Sequence, residues 1–196
     1  MSCTVQIFSI RKVSTGLHPS TLTGIFLRKP HILLPGDGIM KTKPWKIYLF
    51  WILLTEAVGG LSGWLTREGS RIFSETVVQP PLSPPAAVFP IVWSILYALM
   101  GIGAARIWRS TPSPERSKSL NLFIIQLVVN FFWSLIFFNA QRYGFAFLWL
   151  LLLWGLVLAM ILQFRRVDPL AAWLQLPYLI WLTFAAYLNF GIWYLN

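Results

Sequence analysis

The sequence predicts an all-α integral membrane protein, a bundle of five transmembrane helices. Three observations carry this. Of 196 residues, 57% are hydrophobic and 11% charged, less than half the charged share of roughly 25% in soluble domains, and the mean hydropathy is +0.65. The apolar residues fall into five runs, each close to the ~20 residues that cross a bilayer core as a helix. None of the runs alternates polar and apolar residues as a barrel strand would, and a helix satisfies its own backbone in lipid.

Residues 1–44 stand apart. Arg11, Lys12, Arg28, Lys29, Lys41 and Lys43 face a single acid, Asp37, among many Ser and Thr, with no run long enough to span. Three readings are open for this basic extension: a dispensable or untranslated stretch with the start at Met40, a cleaved targeting peptide, or an arm lying on the membrane. Residues 45–196 then form the transmembrane domain. Trp45–Leu65 is interrupted only by Glu56, and Ala86–Trp108 carries no charge before Arg106. Leu120–Phe138 is uncharged, Tyr143–Phe164 is rich in Leu, and Pro169–Leu195 is again uncharged. The connections read as Thr66–Pro85, Arg109–Ser119, a tight turn at Ala140–Arg142, and Arg165–Asp168. The first is the longest and ends in Pro80-Pro81-Leu82-Ser83-Pro84-Pro85, which predicts a stiff, non-helical cover at one membrane face.

Charge sets the orientation. Five spans put the N-terminus on the same side as the second and fourth connections, and that side collects thirteen of the 16 Lys and Arg residues. The positive-inside rule therefore predicts the N-terminus inside and the proline-rich connection outside. The net charge of +10 reads as this topology signal with an affinity for anionic membrane lipid. No basic stripe interleaved with stacking aromatics points to nucleic acid.

Reactive side chains are scarce. The one cysteine is Cys3, and both histidines, His18 and His31, precede the first span. The spans therefore lack His and Cys, which excludes Cys-cluster metal sites, axial haem histidines and His-based acid–base catalysis within them. The expectation is a binding protein rather than an enzyme, with no obligatory cofactor. Phe89, Trp93 and Tyr97 lie four apart on one helical face; Gln126, Asn130 and Trp133 share a second, and Pro177, Trp181, Phe184, Ala185 and Leu188 a third. Amides in a bilayer turn away from lipid, so these faces predict an intrabundle pocket with aromatic walls, suited to a flat, mostly apolar ligand with polar edges. If Asn130 and Gln126 serve the ligand, Asn130→Leu weakens binding and leaves the empty bundle stable. Trp45, Trp108, Trp173 and Trp193, near helix ends, read as interfacial anchors. Glu56, the intramembrane acid, lacks a second titratable partner for a proton relay and reads as structural. The pairs Gly59/Gly63 and Gly101/Ala105 permit close helix approach, within the bundle or at a dimer seam.

In these residues the chain resembles the TspO/MBR family, the tryptophan-rich sensory proteins related to the mitochondrial translocator protein. The resemblance runs from Trp45 to Asn196, through Pro84-Pro85-Ala86-Ala87-Val88-Phe89-Pro90-Ile91-Val92-Trp93, Leu96-Tyr97, Met100-Gly101 and Trp108. It continues through Gln126-Leu127, Asn130, Trp133-Ser134, Phe137-Phe138, Pro177-Tyr178-Leu179, Trp181, Phe184-Ala185, Leu188-Asn189 and Leu195-Asn196. It implies a five-helix bundle, usually a homodimer, whose pocket opens under the first connection and binds tetrapyrroles such as protoporphyrin IX and haem. Matched residue by residue, it assigns the pocket to Trp93, Tyr97, Gln126, Asn130, Trp133, Trp181, Phe184, Ala185 and Leu188. Family members often carry tryptophan where this chain has Leu82 and Ala87, which weakens a stacking lid. The sterol motif of animal members needs a basic residue after the C-terminal aromatic, and none follows Tyr187 or Tyr194.

The resemblance thus implies a multi-pass sensor, regulator or transporter of porphyrin or haem, in the cytoplasmic membrane if bacterial or otherwise in an organelle membrane. Two alternatives stand beside it: light-dependent degradation of bound porphyrin, and a dimeric membrane scaffold without ligand chemistry.

Overall fold

The computed structural model describes residues 43–196; the readings of the basic extension fall outside the described residues except at its last two positions. Among the described residues the elements are helices α1 (Pro44–Thr76), α2 (Val88–Arg109), α3 (Pro114–Ser134), a π-helical turn (Leu135–Asn139), α4 (Tyr143–Val167), α5 (Pro169–Trp173) and α6 (Leu176–Leu195). Five segments are long and apolar enough to cross a membrane, the third comprising α3 with its π turn and the fifth comprising α5 and α6.

Three of the helix starts have a local cause. Pro44, Pro114 and Pro169 occupy first-turn positions, where the missing N–H is no loss. Ser113 caps α3 by accepting from the Arg116 N–H at 3.1 Å, and Asp168 caps α5 through the N–H groups of Leu170 and Ala171 at 2.9 and 3.1 Å. Asp168 also pairs with Arg106 of α2 at 2.8 Å, tying the second span to the fifth.

Three boundaries differ from the sequence expectation. The first helix does not stop at Leu65 but continues to Thr76, so the first connection shortens to residues 77–87. The charges that end the apolar run do not end the helix. Arg71 pairs with Glu68 at 2.6 Å and Glu75 at 3.0 Å along the helix, and Phe73 packs at 5.3 and 5.5 Å on the rings of Phe137 and Phe138. The second connection shortens likewise, because α3 begins at its capped Ser113–Pro114 rather than at Leu120. The fifth span is broken at Leu174–Gln175. Pro177 has no N–H to give the Trp173 carbonyl one turn back, and at the break the Gln175 side chain donates to the carbonyls of Leu99 and Ala171 at 3.3 and 3.4 Å.

The bundle closes around α3 and α4. α1 lies along α2, α3 along α4, and α4 along α6, while α2 also meets α3 and α5. The glycine pairs sort themselves in this packing. Gly101 brings α2 onto α1 so closely that a Cβ there would sit 2.6 Å from the Ile52 Cα, and Gly59 abuts the Tyr97 ring. The Thr55 hydroxyl donates to the Tyr97 carbonyl at 2.8 Å, adding a polar tie between the same two helices. Gly60 and Gly63 instead have open space above them.

Candidate ligand site

The close pairing of α4 with both α3 and α6 leaves α2 and α6 less tightly joined. Between them lies a cleft of about 510 Å³ lined by Val92, Ile95, Leu96, Pro177, Ile180, Trp181 and Phe184, within the ~300–1,000 Å³ typical of small-molecule sites. Its lining is apolar, and its rim residues Ile95 and Ile180 are exposed on the outer surface of the bundle. The helix break before Pro177 starts α6 at this cleft, and Pro177 itself forms part of the wall. The two lining aromatics belong to a longer series of ring contacts. Phe89 meets Trp181 edge-on at 6.0 Å, Trp181 meets Phe184 at 5.5 Å, and Phe184 stacks on Tyr187 at 6.3 Å.

Behind this wall is a buried polar chain that joins three helices. The Tyr97 hydroxyl donates to Asn130 Oδ1 at 2.7 Å, Asn130 Nδ2 donates to the Tyr178 hydroxyl at 2.9 Å, and that hydroxyl donates to Gln126 Oε1 at 3.2 Å. The far end is weak, since Gln126 Nε2 finds only the Met100 sulfur at 3.9 Å. Trp93 packs on this polar chain, 5.6 Å from the Tyr97 ring and 6.2 Å from the Tyr178 ring.

The ten residues singled out by sequence therefore divide. Trp181 and Phe184 line the cleft, Phe89 packs on Trp181, Trp93 packs on Tyr97 and Tyr178 without lining the cleft, and Ala185 is half-buried one residue beyond Phe184. Tyr97, Gln126 and Asn130 are buried in the polar chain, so the Asn130 amide is engaged by two tyrosines rather than turned to the cleft. Trp133 points elsewhere: its indole N–H donates to Asn189 Oδ1 at 3.4 Å and its ring stacks on Phe137 at 5.1 Å. Leu188 is buried one residue before Asn189. Glu56 is half-buried on α1 and is not among the cleft-lining residues. Sequence reasoning missed Tyr178, which bonds both amides. Its signal was available, since Tyr178 lies three residues before Trp181 on the same helical face.

The first connection is fastened across the end of α6. Asn196 accepts from the Val78 N–H and donates to the Val78 carbonyl, both at 3.0 Å. The Tyr187 hydroxyl donates to the Pro81 carbonyl at 2.9 Å. Gly191 admits Pro80 so closely that a Cβ would lie 2.6 Å from the Pro80 Cβ. The expected stiff cover is thus a strap of residues 77–87, and Leu82 projects from it, 80% exposed.

Fold and cleft together define a five-span helical membrane protein with an aromatic-walled lateral site. The sequence profile of the TspO/MBR family matches residues 51–195, and the chain belongs to that family. It is 38% identical to the translocator protein of Ovis aries over 144 residues, covering 71% of this chain and 85% of the relative. It is 37% identical to the tryptophan-rich protein TspO of Chlorobaculum tepidum over 144 residues, covering 71% and 89%. Protein CrtK of Rhodobacter capsulatus is 37% identical over 141 residues, covering 71% and 87%. These relatives are named as translocator, tryptophan-rich and Crt proteins, not as enzymes.

Proposed function

We propose that this protein binds a tetrapyrrole, porphyrin or haem, or a similar flat hydrophobic molecule, and acts by binding as a sensor, regulator or transporter rather than by catalysis. The supporting observation is the apolar cleft between α2 and α6, lined by the aromatic Trp181 and Phe184, with Phe89 packed on Trp181. Stacked and edge-on rings suit a planar ligand, and each aromatic contact adds about 0.5–1.5 kcal/mol beyond its buried area. In this reading the amides of Gln126 and Asn130 join α2, α3 and α6 inside the bundle and fix the helices that carry the cleft.

The reading includes membrane lipid as solvent, an N-terminus on the inner side, and a homodimer. Lys and Arg gather where α2 ends, α3 begins and α4 ends, which supports the orientation. The outward Gly60 and Gly63 of α1 offer a small-residue face to a second copy. The host is the cytoplasmic membrane in a bacterium, with an organelle membrane as the alternative.

Tryptophan quenching on titration with protoporphyrin IX tests the assignment. Removing both aromatic rings of the lining, Trp181→Leu with Phe184→Leu, is expected to weaken binding about tenfold, the worth of two such contacts. Trp133→Phe, whose indole engages Asn189, is expected to leave it unchanged. Equal affinity in the wild type and the double variant would remove the cleft from consideration.

A further inference from the structure

At the end of the bundle that carries Lys43, three helices meet at one corner: the start of α1, the end of α2 and the start of α3. The Arg109 guanidinium lies 5.5 Å from the Tyr48 ring centre and donates from Nη1 to the Tyr48 hydroxyl at 3.2 Å. The Arg116 guanidinium lies 5.0 Å over the Trp108 ring, and Trp108 in turn packs 5.8 Å from Trp51 of α1. Both cations are thus held by aromatic side chains across helices rather than by carboxylates. Among the described residues the ion pairs are Arg71 with Glu68 and Glu75, and Arg106 with Asp168. Glu115, the acid beside Arg116, joins none of them.

A guanidinium held against a ring keeps its N–H donors in its own plane, directed outward at an acceptor. Each guanidinium presents planar donors that match the oxygens of a phosphate; Arg109 and Arg116 flank the same helix end, on either side of Trp108, and Arg116 Nε is buried without a partner. The depth is set by indoles: Trp108, under Arg116, and Trp45, one residue before Lys46 at the start of α1, are 46% and 58% exposed, and exposed tryptophans mark the headgroup layer. We propose that Tyr48, Trp108, Arg109 and Arg116 form a discrete site for the phosphate headgroup of an anionic membrane lipid. The site is separate from the cleft between α2 and α6 and does not depend on what the cleft binds.

The full chain in nanodiscs of phosphatidylcholine, with or without phosphatidylglycerol, tests this by native mass spectrometry of retained lipid. The wild type is expected to retain phosphatidylglycerol in preference. A charge-assisted hydrogen bond to a phosphate contributes roughly tenfold in affinity, so Arg109→Gln with Arg116→Gln should lose at least roughly tenfold. Arg165→Gln with Arg166→Gln removes the same charge from the end of α4 and should retain most of the preference. Equal losses in the two double variants would overturn the site in favour of diffuse surface charge. Wild-type indifference to phosphatidylglycerol, or displacement of that lipid by inorganic phosphate, would overturn it as well. Should the glutamine pair fail to fold, Arg109→Lys with Arg116→Lys keeps the charge and loses the planar donors; an unchanged preference there would overturn the proposal too.

Discussion

Asn130→Leu is the most informative single change in the polar chain. The side chains are similar in size, so the perturbation is chiefly the loss of two interhelical hydrogen bonds, one from Tyr97 and one to Tyr178. Interhelical bonds in membranes average about 0.6 kcal/mol each, which gives about 1.2 kcal/mol for the pair. The losses are unequal, however. Tyr178 keeps Gln126 as its acceptor, whereas the buried Tyr97 hydroxyl is left with none, and an orphaned buried donor costs about 1–3 kcal/mol. The variant should therefore be less stable by roughly 1.5–3 kcal/mol in the absence of ligand. This reverses the expectation from sequence that the amide is spared for ligand and the empty bundle keeps its stability. The assay is reversible unfolding in mixed micelles, run as a double-mutant cycle with Tyr97→Phe. Removing the hydroxyl should recover part of the loss, with a coupling of about 1 kcal/mol between the two positions. A wild-type unfolding midpoint for Asn130→Leu, or additive effects in the cycle, would refute the reasoning.

Two further outcomes follow from contacts elsewhere. Gly101→Ala drives a methyl group into the α1 backbone at Ile52 and should destabilise by about 1–3 kcal/mol. Gly155→Ala on α4, where a Cβ meets nothing within 4 Å, should stabilise by about 0.5–1 kcal/mol, and thermal unfolding in detergent reads both. Asn196→Ala removes both hydrogen bonds to Val78, so amide exchange at Val78 should accelerate roughly tenfold, two bonds at about 0.5–1.5 kcal/mol each, with exchange in α4 unchanged.

The spans were legible because hydropathy is a property of composition, and the lipid requirement leaves the backbone one solution. What hydropathy does not encode is where a helix stops. Arg67, Glu68, Arg71 and Glu75 end the apolar run after Leu65, yet Arg71 pairs with Glu68 and Glu75 along the helix, which continues to Thr76. The break at Leu174–Gln175 was legible in principle, since Pro177 cannot donate one turn back, but a hydropathy window passes over it. Helical spacing located the faces of the candidate site and not their neighbours. Trp133 and Asn130 lie three residues apart on one face, but Asn189 of α6 takes the Trp133 indole, while Tyr97 and Tyr178 take the amide. Which side chain covers a face depends on how α2, α3 and α6 are arranged, information that no single segment holds. Tyr178 was overlooked because its partners are contributed by another span.

The central claim, that a planar apolar ligand occupies the cleft between α2 and α6, is tested most directly by ligand protection of introduced cysteines. Cys3 is the one native cysteine, so in a Cys3→Ser background each new thiol reports alone. Val92→Cys and Ile180→Cys place thiols in the cleft lining, and Leu152→Cys places one on the exposed face of α4. With saturating protoporphyrin IX, labelling by a membrane-permeant maleimide should slow severalfold at positions 92 and 180 and remain unchanged at 152. Unchanged rates at 92 and 180 under conditions where tryptophan quenching reports bound porphyrin would contradict the account, because the ligand would then occupy another part of the bundle.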